Sequence, residues 1–278
     1  MFVTLRGLSA ADQLAPSAAR SAGPKWNGQY SFLLWQLVLK DFKIRYRNMS
    51  LGVFWSLLNP LIMMGVLWFL FTHIIPNNRI PNFAAFVLCG LVPYNFFTLA
   101  LSTGTSSLVE NASLIKRVPV PLEAVPISSV LSIGIHLLIQ IGLLLTAVLL
   151  AGRGVNVYWL WLPFVWACEV VFVCGLALLC SSVNVYVRDM RYVVESATVV
   201  LFWMVPIFYP FSVIPARYRE VYQLNPVAAL VLAARNILLD RIPPPAPLLA
   251  KLVLSSTLVF LAGFTVFRLL RRRFYDYL

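Results

Sequence analysis

The sequence predicts an all-α membrane protein with six transmembrane helices, an N-terminal amphipathic interface helix, and re-entrant outer helices before the last span. Three observations predict it. Of the 278 residues, 60% are hydrophobic and 12% charged. Soluble domains carry about 25% charged residues, so this chain lacks the side chains needed to cover a water-facing surface. Charge-free apolar stretches recur at the length a helix needs to cross a bilayer core, roughly 20 residues for about 30 Å. The basic residues collect at the ends of these stretches, where membrane proteins use them to set orientation. The net charge of +12 is therefore assigned to membrane anchoring, and nucleic acid is not an expected partner.

Residues 1–29 are rich in Ala, Ser and Pro and contain no apolar run of signal-peptide length, so a flexible cytoplasmic tail is expected there. Residues 30–49 form the interface helix. Trp35, Val38, Leu39, Phe42 and Tyr46 fall on one helical stripe, with Gln36, Lys40, Lys43 and Arg47 opposite. Such a helix should lie flat at the cytoplasmic face, beside Arg45.

Residues 50–278 hold the spans. They are expected at about 51–75, 82–108 with a bend at Pro93, 124–151, 158–183, 196–210 and 247–268. Pro206 and Pro210 end the fifth, and Lys251 lies close enough to the end of the sixth to snorkel. Backbone polar groups inside a bilayer must be paired within their own segment, which is why these stretches are read as helix. With the N-terminus inside, fifteen of the 22 Lys and Arg fall on inner segments, so both termini are expected in the cytoplasm.

Two further segments do not read as spans. Glu110–Glu123, ENASLIKRVPVPLE, is an inner loop in which Asn111 or Ser113 can cap a short helix that Pro119 ends. Its Leu114 and Ile115 beside Lys116 and Arg117 have the character of a docking plug. Phe211–Ala246 is a long outer connection whose apolar middle, Pro226–Leu239, is too short to cross and fits a re-entrant or interfacial helix.

Catalytic signatures are missing. No phosphate-binding loop occurs, nor HExxH, GxSxG or a Cys/His metal cluster. Cys89, Cys168, Cys174 and Cys180 lie within apolar stretches as small packing residues. His73 and His136 stand too far apart for a metal motif. Glu169, at roughly 2.5–3.5 kcal/mol on insertion scales, must face protein or water. A structural hydrogen bond between helices is its simplest role, and the same holds for His136 and Gln140, which share a face. Trp159, Trp161 and Trp166 read as an interfacial belt. Trp68, Phe69, Phe71, Phe202, Trp203, Phe208 and Tyr209 cluster toward the outer halves of spans one and five, where aromatic faces can line a carbohydrate pathway or simply pack.

Five stretches carry a family resemblance: RYRNMSLGVFWSLLNPL at Arg45–Leu61, LIKRVPVPLEAVP at Leu114–Pro126, NVYVRDM at Asn184–Met190, PIFYPFSVIP at Pro206–Pro215 and YQLNP at Tyr222–Pro226. In this order they resemble the polysaccharide-export permeases of the type-2 ABC exporter superfamily, over nearly the whole chain after Tyr30. The resemblance implies a bacterial inner-membrane homodimer bound to two copies of a separate ATPase subunit, which would hold the ATP and Mg; this chain needs no cofactor of its own. It implies export of a lipid-linked polysaccharide such as O antigen, capsule or teichoic acid. It maps an ATPase-coupling helix onto Ser113, Leu114, Ile115, Lys116, Arg117 and Val118, and an ATPase-touching interface helix onto Trp35–Arg47. It maps outer gate helices onto Ile214–Tyr222 and Pro226–Leu239, with Arg217 and Tyr218 in the first and Asn225 between the two. Lys40, Lys43, Arg45 and Arg47 could receive a pyrophosphate headgroup or serve only as anchors. A drug or lipid exporter, and a membrane enzyme acting on polyprenyl-linked sugars, are the competing readings; the second lacks the acidic cluster such chemistry needs, offering only Asp189 and Glu195.

Overall fold

The computed structural model describes residues 28–47, 52–74, 80–118 and 120–278. Residues 1–27 of the expected tail, the 48–51 junction, the 75–79 connection with Arg79, and Pro119 lie outside the described residues. No β-strand occurs among the described residues. Helix α1 spans Tyr30–Tyr46, α2 Trp55–Phe69, α3 Phe83–Glu110, α4 Ala112–Arg117 and α5 Ala124–Leu150. Then come α6 Leu162–Tyr186, α7 Met190–Met204, α8 Ala216–Leu224, α9 Pro226–Arg235, α10 Ala246–Leu270 and α11 Phe274–Tyr277.

Five helical segments are long and apolar enough to cross a membrane: Trp55–Ile74, Phe83–Glu110, Ala124–Leu150, Val157–Tyr186 and Ala246–Tyr277. They correspond to expected spans one to four and six. Helix α3 runs through Pro93 without a break. A proline inside a bilayer helix frees one carbonyl, which neighbouring helices can satisfy or shield.

The fifth expected span takes a different form. Its helix begins at Met190 and stops at Met204, because Pro206 has no N–H to extend the ladder. Fifteen residues give about 22 Å of helix, less than the roughly 30 Å of a hydrocarbon core. The chain continues without helix through Val205, Pro206 and Ile207, all of them buried. Irregular backbone at that depth persists only where protein covers it. Here the cover includes Arg235, whose Nη2 donates to the Ile207 carbonyl at 2.7 Å.

Helix α3 is the hub. It packs on α5, α6, α2, α7 and α9, and Leu88, Leu91, Phe96, Phe97 and Leu108 are almost wholly enclosed. The Tyr94 hydroxyl donates to the Thr198 carbonyl and ties α3 to α7. Helix α6 meets α10 at a glycine seam: a Cβ on Gly175 would lie 2.5 Å from Phe260 Cα, and one on Gly263 would strike the Gly175 carbonyl. Glycine allows two helix backbones to approach this closely in a membrane, where dispersion and not water drives association.

Helix α2 contrasts with α3. Its main neighbours among the long helices are α3 and α5, and it leaves Ile62, Met63, Val66, Trp68 and Phe69 exposed. Helix α7 likewise exposes Tyr192, Val193, Val199, Val200, Trp203 and Met204. These are the least covered apolar faces of the spanning bundle.

Candidate functional site

Three non-spanning pieces carry the candidate sites, and each is built differently. Helix α1 lies along the first turns of α5, and its polar side chains do the fastening. Asp41 Oδ2 accepts from Ser129 Oγ at 3.0 Å, the Tyr46 hydroxyl meets His136 Nδ1 at 2.5 Å, and Lys40 Nζ donates to Asn111 Oδ1 at 2.6 Å. Gln140 extends the chain of bonds, donating from Nε2 to the Ser56 carbonyl at 2.9 Å and lying 3.2 Å from His136 Nε2. His136 and Gln140 thus bond between helices, as the sequence suggested.

On α1, Leu37 and Val38 are buried, Leu39, Phe42 and Tyr46 are intermediate, and Trp35 is 56% exposed, beside exposed Phe32 and Ile44. Asp41 is turned toward its partner on α5. Lys40 pairs with Asp41 at 3.0 Å, and Arg45 lies half-buried while Lys43 and Arg47 are exposed. Burial lowers the pKa of Arg45 from its ordinary value, and Tyr46, Asp41 and Glu110 act in the opposite direction. We expect Tyr46→Phe to cost about 1 kcal/mol through its lost bond to His136, read as a lower melting temperature of the detergent-solubilised protein.

Helix α4 forms where the inner loop was expected to be helical. Asn111 occupies its N-cap position but does not cap it, because its amide is taken by the Ser107 carbonyl at 2.8 Å and by Lys40. Ile115, 3% exposed, anchors the helix in a separate apolar cluster with Leu108, Leu178, Phe267 and Phe274. Ser113, Lys116, Arg117 and Val118 are exposed, and Leu114 is intermediate. One anchored side chain thus holds a basic surface outward. The same cluster joins this loop to the C-terminal end of the chain, where Tyr186 Oη donates to the Leu270 carbonyl at 2.7 Å.

At the opposite end, α8 and α9 form a broken pair bent by 104°. Asn225 caps α9 by accepting from Val227 N at 3.1 Å, and Pro226 starts the helix with its φ already set. Helix α9 is buried along most of its length, continues as a wider π turn over Asn236–Asp240, and ends at Arg241 in a left-handed conformation (φ 57). Of the expected gate residues, Ile214 is buried, Arg217 and Tyr218 are exposed, and Tyr222, Asn225 and Pro226 are intermediate. Lys251 does not reach to solvent alone: it pairs with Glu220 and donates to Gln223 Oε1 at 2.9 Å, joining α10 to α8.

The aromatic residues singled out from the sequence form two groups. Phe71 stacks on Phe208 at 5.6 Å, and Phe208 also contacts Phe202, Trp203 and Tyr209. Trp68 and Phe69 instead pack around His73. Trp159 and Trp166 are partly buried against the main core, while Trp161 is exposed. Glu169 is 2% exposed, and neither carboxylate oxygen finds a partner among the described residues, so the expected interhelical bond is not formed. Sequence reasoning missed Asp41 as a fastener and Arg235 as a buried cation; an arginine within an apolar run was the available signal for the second.

A multi-pass helical bundle that displays an anchored short helix at one end and, at the other, a broken hairpin with its second helix buried has the architecture of a membrane permease. The chain belongs to the ABC-2 type transporter family, whose model matches residues 32–239. It is similar to the O-antigen export system permease protein RfbA of Klebsiella pneumoniae, 28% identical over 256 residues, which are 91% of this chain and 98% of that protein. RfbA of Myxococcus xanthus is 29% identical over 249 residues, 88% of this chain and 95% of that protein. The polysialic acid transport protein KpsM of Escherichia coli is 23% identical over 238 residues, 84% of this chain and 91% of that protein.

Proposed function

We propose that the chain is the membrane half of a two-part ATP-driven exporter, moving a lipid-linked polysaccharide of the O-antigen or capsule kind across the bacterial inner membrane. The observation that carries this reading is coverage. The similarity to O-antigen export permeases extends over 91% of this chain and 98% of the relative, so it takes in the α4 loop and the α8–α9 hairpin as well as the spans.

The parts then divide as follows. Both termini lie in the cytoplasm, as the distribution of basic residues favours. The exposed side chains of α4, Ser113, Lys116, Arg117 and Val118, meet an ATPase subunit present in two copies, which supplies ATP and Mg. A second copy of this chain covers the exposed faces of α2 and α7, and the aromatic residues from Trp68 to Phe71 and from Phe202 to Tyr209 line the pathway between the copies. Closure of the ATPase pair pushes on α4, and rigid helices carry the push to the α8–α9 gate as a switch between two packed states.

Depletion of the chain in its native cell tests this. The expected result is loss of surface polysaccharide with lipid-linked polymer accumulating on the cytoplasmic leaflet. An unchanged surface polysaccharide would refute the reading.

A further inference from the structure

We propose that Arg235 anchors a buried oxyanion-binding site at the hairpin end of the bundle, built for a phosphate or diphosphate group. Arg235 is 5% exposed. Its Nη2 donates to the Ile207 carbonyl at 2.7 Å and more weakly to the Phe86 carbonyl at 3.4 Å, and the guanidinium carbon sits 3.5 Å above the centroid of the Phe86 ring. Nε and Nη1 find no partner, and no carboxylate among the described residues lies within 4.0 Å to neutralise the charge. A bracing role would need only the Nη2 bonds. The remaining N–H donors of the fork are left without acceptors in a buried setting, the arrangement that proteins ordinarily avoid unless a ligand supplies the missing charge.

Arg235 itself lines the space for that ligand. A cavity of about 570 Å³ is lined by Arg235 together with Gln223, Asn236 and Asp240, with Phe86 and Phe211 among its apolar walls. The planar fork of Arg235 suits the paired oxygens of a phosphate-type group, and Asp240 on the same wall weakens the attraction that any anion meets there.

The site stands on this geometry; its assignment to the headgroup of a lipid-linked glycan rests on the proposed function. The test uses the full chain purified in detergent, titrated with inorganic pyrophosphate, with a short prenyl diphosphate and with the matching neutral prenyl alcohol. Expected are binding of at least the prenyl diphosphate, a loss of about tenfold or more in Arg235→Gln, and tightening in Asp240→Asn, a gain that misfolding cannot mimic. Binding of pyrophosphate as well marks recognition of the anion alone, and a need for the prenyl chain marks a lipid headgroup; both support the site. No binding of either diphosphate, equal affinity in Arg235→Gln, or equal affinity for the neutral alcohol would overturn it. Arg235-dependent binding in a chain that engages no ATPase would keep the site and remove only the exporter.

Discussion

Gly263→Ala strongly destabilises the folded protein, although it adds a single methyl group. The new Cβ would strike the carbonyl oxygen of Gly175 and lie 2.8 Å from its carbon. Backbone cannot rotate away as a side chain can, so α6 and α10 must separate and loosen the contacts around Phe260 and Leu252. Inserted methylenes in a packed core cost about 1–3 kcal/mol, and a collision with main chain belongs at the upper end. For a chain of this size that corresponds to a melting temperature lower by roughly 6–10 °C. Gly142→Ala is the control, because a Cβ there meets nothing within 4 Å. Alanine's better helix propensity should leave that variant unchanged or more stable by up to about 1 kcal/mol. Thermal unfolding of the two variants in the same detergent reads the opposite signs; equal behaviour would show that the seam is not tight.

Ile115→Asp abolishes export while the spanning bundle stays folded. Ile115 is the buried side chain of α4, seated against Leu108, Phe267 and Phe274. A carboxylate there loses the apolar burial of an isoleucine, about 1.5–3 kcal/mol, and cannot ionise without a partner. The cheapest response is local release of a six-residue helix, not unfolding of the bundle. If α4 transmits the stroke of an ATPase, export should fall by more than tenfold with a near-native elution profile. Lys116→Glu with Arg117→Glu separates docking from anchoring: both side chains are exposed, so association with the ATPase should weaken with no change in melting temperature. Export that survives Ile115→Asp would remove α4 from the coupling route.

Much of the fold was legible because lipid imposes simple rules. Five of the expected spans needed only length and the absence of charge, and α3 and α5 begin and end within about two residues of expectation. The short helix before Pro119 and the apolar helix from Pro226 were legible from local pattern, although Asn111 does not supply the cap that was expected of it. What was not legible depended on partners distant in sequence. Hydropathy says nothing of the partner of Asp41, which finds Ser129 across 88 positions. Lys251 was legible as a side chain near a helix end, but not its partners Glu220 and Gln223 on α8. The fifth span was expected to start at 196 because charge was assumed to stay outside the helix. Instead Arg191 and Glu195 sit exposed on the first turns of α7, and the proline stop shortens its far end. Arg235 shows the same limit: it follows an apolar run, and only the fold sets Phe86 and Ile207 around it.

Isolation of the tagged chain from its native membrane, in mild detergent and with magnesium and a non-hydrolysable ATP analogue, tests the central claim most directly. The account predicts a complex of two copies of this chain with two copies of an ATP-binding subunit, lost when α4 carries Lys116→Glu and Arg117→Glu. Recovery of the folded chain with no ATP-binding partner would contradict it.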